Sequence, residues 1–143
     1  MTQNTTADPQ SPTAQGRPLS GFLRLIGVRR TGFAEGWARL ELDLRDEHMN
    51  PMGIPHGGIH ATMLDTALGT AGSWQGDEDS YRPSVTLNLN VSYLAQPRGK
   101  RLICEARRVG GGRSIYFSEG ELRDDTGIVL ARASGTFRVM TPR

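Results

Sequence analysis

One long helical run set among strands is the feature that most narrows what this chain can fold into. From Ile59 to about Trp74, in "IHATMLDTALGTAGSW", apolar and small residues recur at helical spacing. The segment from Val85 to Tyr93 alternates instead. Val85, Leu87, Leu89, Val91 and Tyr93 interleave with Thr86, Asn88, Asn90 and Ser92, the period of a β-strand. "RLICEARRV", "SIYFSEGELRD" and "IVLARASGTFRVM" read as three further strands, punctuated by "AQPRGK", "GGGR" and "DDTG". Upstream, "GWARLELDLRDEH" places Ala38, Leu40, Leu42 and Leu44 on one face and Arg39, Glu41 and Asp43 on the other. Before it, a short helix around Leu19–Leu25 leads into another strand. Strands joined by turns this short pair antiparallel. The pattern predicts an α+β fold, an antiparallel sheet of five to six strands around one long central helix.

The chain has 143 residues, enough for one domain with a real core. The Thr-, Gln-, Ser- and Pro-rich opening "MTQNTTADPQSPTAQGRP" has no apolar segment of the signal-peptide kind and reads as a disordered tail, residues 1–18, ahead of a domain at 19–143. A net charge of +2 gives no basic field for nucleic acid. No apolar run approaches the ~20 residues of a membrane span. The single cysteine, Cys104, excludes an intramolecular disulfide and suits a reducing, cytoplasmic setting. Its place in a strand fits a buried thiol better than a nucleophile.

At ~100° per residue, Leu64, Leu68, Ala71 and Gly72 share a side of the helix with Ala61. Asp65 lies beside that stripe, in the row Ala61–Asp65–Gly69 and off the face of Thr62 and Thr66. A carboxylate there either bonds buried backbone or does chemistry. At the helix start, Gly57 and Gly58 leave the first backbone N–H groups uncovered, where the dipole is positive and an anion or developing oxyanion is favoured. Glycine pairs also make plain turns. The three histidines show no zinc-ligand spacing.

In "NPMGIPHGGIHATMLDTA", Asn50, Gly53, His56, Gly57, Gly58 and Asp65 fall in register with the motif Asn-x-x-Gly-x-x-His-Gly-Gly-x-x-x-x-x-x-Asp. The chain resembles hotdog-fold acyl-CoA thioesterases of the PaaI-like (phenylacetyl-CoA thioesterase) group, within the wider 4-hydroxybenzoyl-CoA thioesterase superfamily. The likeness continues through "SVTLNLNVSYLAQPRGKRLICEARRVGGGRSIYFSEGEL" and spans about Phe22 to Val139. It implies a helix wrapped by a sheet, a homodimer whose subunits join their sheets and share two sites, and assembly of dimers in pairs. It also implies an acyl-CoA substrate and neither metal nor redox cofactor.

The resemblance implies roles residue by residue. Gly57 N–H polarises the thioester carbonyl. Asp65 of the partner chain is general base or nucleophile, and the two stay open. Asn50 binds water or carbonyl through its amide. Thr86 assists the water or orients the carboxylate, or is an ordinary strand threonine. His56 caps the helix or orients the loop, while His48 and His60 are incidental. Gly58 belongs to the substrate-binding turn. In "RRVGGGRS", Arg107, Arg108, Gly112, Arg113 and Ser114 offer guanidinium forks and close backbone to CoA phosphates, or else form a solvated hairpin tip. Geometry agrees with shared sites. His56 and Asp65 are nine residues apart, ~13 Å along a helix, too far for both to serve one carbonyl within a chain. Two antiparallel helices about a two-fold axis would bring opposite ends together.

The competing reading is a hotdog module that binds acyl-CoA without cleaving it; Asp65 and Gly57 together argue against it. The His/Asp spacing of a hotdog dehydratase is absent. Trp74, Met63 and Tyr81 are candidates for the acyl pocket or for packing.

Overall fold

The computed structural model describes residues 19–141; the expected tail, residues 1–18, lies outside them. A short helix α1 (Gly21–Ile26) opens with Ser20, whose hydroxyl accepts from Leu23 N–H, and closes on Gly27 at φ 89°. Then come β1 (Arg29–Ala34), β2 (Trp37–Asp43), a 3-10 turn (Asp46–His48), α2 (Gly57–Ala71), β3 (Ser84–Tyr93), β4 (Arg101–Gly111), β5 (Ile115–Asp124) and β6 (Val129–Val139). The strands form one sheet in the order β1-β2-β4-β5-β6-β3, antiparallel at every step. Helix α2 touches all six strands. This is the expected hotdog architecture.

The core lies between α2 and the inner face of the sheet. Met63, Leu64, Ala67, Leu68 and Ala71 pack on Leu40, Leu42, Leu102, Cys104, Tyr116, Leu122 and Phe137, all buried. The buried helical stripe is therefore centred nearer Met63 and Ala67 than the helical wheel placed it, and Ala61 is only half-buried. Leu68 sits so close to the sheet that a Cβ on Gly120 would come within 2.7 Å of its Cδ1. The same Cβ would come within 2.9 Å of the Glu105 carbonyl, so position 120 has room for glycine alone. Cys104 is buried as expected, its thiol against the Met63 carbonyl at 3.7 Å, and burial raises its pKa out of the nucleophilic range.

Two boundaries differ from the expectation. Helix α2 starts at Gly57 rather than Ile59, because His56 caps it, and stops at Ala71. Trp74 lies beyond the helix, in a bridge to Tyr81 with its ring edge-on to Phe33 at 5.0 Å. In β3 the alternation is broken. A bulge between Thr86 and Asn88 shifts the register, so Leu89 and Val91 pack on the core while Val85 and Leu87 stay exposed. No helix among the described residues is long and apolar enough to cross a membrane.

Candidate active site

The loop before α2 is built by Asn50. Its Oδ1 accepts from the N–H groups of Met52 (2.9 Å) and Ile54 (3.3 Å), and its own backbone bonds Ile54 and Gly53. Gly53, at φ +77°, supplies the left-handed turn this loop needs. The carbonyl half of the Asn50 amide is thus committed to the loop, and Nδ2 is the end left for a ligand. His56 N–H bonds the His48 carbonyl at 2.9 Å, fixing where the helix begins.

His56 is a helix cap. Its Nδ1 accepts from Gly58 N–H at 2.8 Å. A Cβ on Gly58 would sit 3.0 Å from that nitrogen, so the second glycine makes room for the cap and its N–H is not open to a ligand. The Gly57 N–H has no partner among the described residues. It is the open donor at the positive end of the helix. Tyr93, at the end of β3, holds this turn by donating its hydroxyl to the Gly57 carbonyl at 2.6 Å. The histidines expected to be incidental prove to be packing groups. His48 is buried and bridges Arg45 N–H and the Ile26 carbonyl. His60 is buried beneath Tyr93, ring centroids 5.6 Å apart, and burial lowers its pKa.

Asp65 is half-buried in the middle of α2, and its Oδ1 accepts from the Thr86 hydroxyl at 2.6 Å. That short bond holds one carboxylate oxygen and leaves the other free. The pair opens on a cleft of about 240 Å³ whose walls include Thr66, Thr70, Tyr81, Arg82 and Ser84. Asp65 shares this wall with Thr66, where the helical wheel had separated them. Met63 lies in the core, whereas Tyr81 lines the cleft.

The hairpin between β4 and β5 turns tightly, with Gly111 at φ +125° and Gly112 N–H bonded to the Ile115 carbonyl. Arg113 and Ser114 are exposed at its tip. Arg108 points back, donating from Nη2 to the Gly112 carbonyl at 3.3 Å, so it braces the tip rather than extending from it. Gly112 serves as its acceptor. Arg107 lies across the sheet from Glu119.

The motif and this geometry agree with what comparison finds. Residues 52–131 match the thioesterase superfamily. The chain belongs to that family. It is 25% identical over 118 residues to human acyl-coenzyme A thioesterase 13, covering 80% of this chain and 82% of that one. With the 1,4-dihydroxy-2-naphthoyl-CoA hydrolase of Listeria monocytogenes the identity is 25% over 125 residues, 86% of this chain and 98% of the other. The crystal structure of a Bacillus halodurans protein with CoA superposes with a TM-score of 0.74 at 28% identity, covering 87% of this chain and 82% of that one. The protein is a thioester hydrolase of the hotdog fold, as the motif implied.

Tyr93 and Arg82 did not stand out in the sequence. For Tyr93 a signal existed, because period two puts it on the same inner face as Leu89 and Val91. Arg82 sits in an irregular segment, where no periodicity assigns a face.

Proposed function

We propose that this thioesterase hydrolyses small-to-medium or aryl acyl-CoA to the free acid and CoA, at sites shared between two copies of the chain. The observation that carries the reading is the Gly57 N–H, left open at the start of α2 while His56 occupies the next N–H. The thioester carbonyl accepts from Gly57 of one protomer, with the Asn50 Nδ2 beside it. Asp65 of the other protomer removes a proton from water, or attacks the carbonyl itself. In the general-base route, water adds to the carbonyl carbon, the C–S bond breaks, and the CoA thiolate takes the proton that Asp65 removed. Thr86 holds the carboxylate in aim. Developing negative charge on the carbonyl oxygen meets a fixed donor at a helix N-terminus, which costs no reorganisation. No metal or redox cofactor enters the reaction.

The dimer is supported by β3. It pairs with β6 on one side only, and it carries the exposed Val85 and Leu87. An open apolar edge is a template for a second strand. Pairing there places the start of one α2 near the middle of the other. At the hairpin tip, Arg113 and Ser114 face the CoA phosphates, with Arg108 and Gly112 bracing them. Assembly of two dimers into a tetramer completes the proposal.

The test is thiol release from a panel of acyl-CoA esters by the wild type and by Asp65→Asn, which keeps shape and removes the base. The expected loss in kcat on the best substrate is on the order of 10²–10⁴-fold. A variant with near-normal turnover takes Asp65 out of the mechanism. Tight binding of every ester without thiol release by the wild type makes the protein a binding module instead.

A further inference from the structure

The cleft beside Asp65 is lined by hydroxyl groups and contains a cation. Thr66, Thr70, Ser73, Ser84 and Arg82 line it, with Phe137 and Pro83 as its apolar surface. The hydroxyls are partly committed. Thr70 donates to the Thr66 carbonyl at 2.7 Å and Ser73 to the Thr70 carbonyl at 2.8 Å. The Tyr116 hydroxyl gives its proton to the Gly69 carbonyl at 2.6 Å, so Ser84, at 2.9 Å, donates to the Tyr116 oxygen and its proton is committed too.

Arg82 is the group least satisfied by the fold. Its Nε is buried and has no hydrogen-bond partner among the described residues. Among the described residues its guanidinium makes one hydrogen bond, from Nη2 to the Gly72 carbonyl, long at 3.5 Å. No carboxylate among the described residues forms an ion pair with it. A guanidinium carries five N–H donors, and a buried donor without a partner is costly. Satisfying the end of α2 explains one of those donors and leaves the rest. The natural complement to a planar fork of donors is a carboxylate.

We propose that this cleft selects acyl groups ending in a carboxylate, with Arg82 reading that end. The inference rests on the reading of Asp65 as the hydrolytic carboxylate, since it assigns the same cleft to the acyl group. The dimensions fit. Gly72, whose carbonyl Arg82 touches, is seven residues beyond Asp65, roughly 10 Å along the helix. A thioester carbonyl held at Asp65 therefore leaves room for a short chain before its far end meets the guanidinium. The separation also keeps the substrate carboxylate away from Asp65, whose charge would repel it.

The experiment compares glutaryl-CoA with pentanoyl-CoA, which have the same five-carbon chain and differ in the terminal carboxylate. The wild type is expected to favour glutaryl-CoA in kcat/KM by about tenfold or more. Arg82→Gln should lose that preference through KM, falling on the order of tenfold or more on glutaryl-CoA and staying within about threefold on pentanoyl-CoA. Arg82→Lys keeps the charge without the fork and should fall between the two. The neutral ester doubles as a control for folding, because a damaged protein loses both activities. A wild type that prefers pentanoyl-CoA overturns the proposal, as do equal losses on both esters in a folded Arg82→Gln protein. Those outcomes leave the thioesterase reading intact; failure to release thiol from any ester overturns both.

Discussion

At the scale of single residues, the proposed hydrolysis rests on how one carboxylate is held. The Thr86 hydroxyl gives its proton to Asp65 Oδ1, so the carboxylate has one oriented oxygen and one free. Losing a hydrogen bond to an ionised group costs about 1.5–3 kcal/mol when buried. At this half-exposed position the lower end applies. Thr86→Val should therefore lower kcat by about tenfold, while Thr86→Ser, which keeps the hydroxyl, should stay within about threefold. Equal activity in all three proteins would make Thr86 an ordinary strand residue. Asp65 was legible in the sequence because an acidic residue in a row of alanine and glycine is chemically out of place. Its partner was legible only through resemblance, since Asp65 and Thr86 are 21 residues apart and no spacing rule links a helix to an edge strand. Asn50 was half legible. Its identity pointed to an amide at the site, but the use of its oxygen to build the loop depends on backbone that sequence does not specify.

At the scale of elements, turns carry what periodicity could not. The "DDTG" turn was expected only as a connection. In the structure Asp124 is buried and anchors it, with Oδ1 accepting from Thr126 N–H, Thr126 hydroxyl and Ile128 N–H, and Oδ2 from the N–H groups of Arg98 and Gly99. Burial alone would raise its pKa. The Thr126 hydroxyl and the Gly99, Arg98 and Ile128 N–H groups outweigh that and hold the carboxyl well below the usual carboxylate range. A carboxyl with a depressed folded pKa adds stability above its unfolded value of about 3.9, and that stability is lost as the pH falls below it. Thermal melts from pH 7 to pH 3 should show Asp124→Asn several degrees less stable at pH 7, with a shallower fall below pH 4 than the wild type. Parallel profiles would mean that Asp124 contributes nothing through its charge. At the other hairpin, Arg113→Ala should raise KM for CoA esters several-fold, more at low salt because the contact is to phosphate. It should spare a truncated thioester that lacks the nucleotide. Equal losses on both substrates would place the effect on the fold or the chemistry.

At the scale of the whole molecule, the strands and central helix were legible because burial on one side imposes period two on a sheet and a stripe on a helix. The bulge in β3 was not, because its sequence alternates without a break, while the pairing with β6 skips Leu87. That same edge is where the proposed dimer forms. On that proposal Gly57 and Asp65, on one helix, serve one carbonyl, which a two-fold pair of helices resolves. Complementation between inactive variants tests this most directly. Gly57→Pro removes the N–H donor at a helical position that tolerates proline, after an extended residue 56 at ψ 136°. Asp65→Ala, on a differently tagged chain, removes the carboxylate. Circular dichroism and size-exclusion chromatography establish first that both variants fold and dimerise. Each homodimer should be inactive. A mixed dimer has one site with both lesions and one with neither, so random mixing, which makes about half the dimers mixed, should restore about a quarter of wild-type activity. Purified mixed dimers of well-folded chains that release no thiol would contradict the shared site.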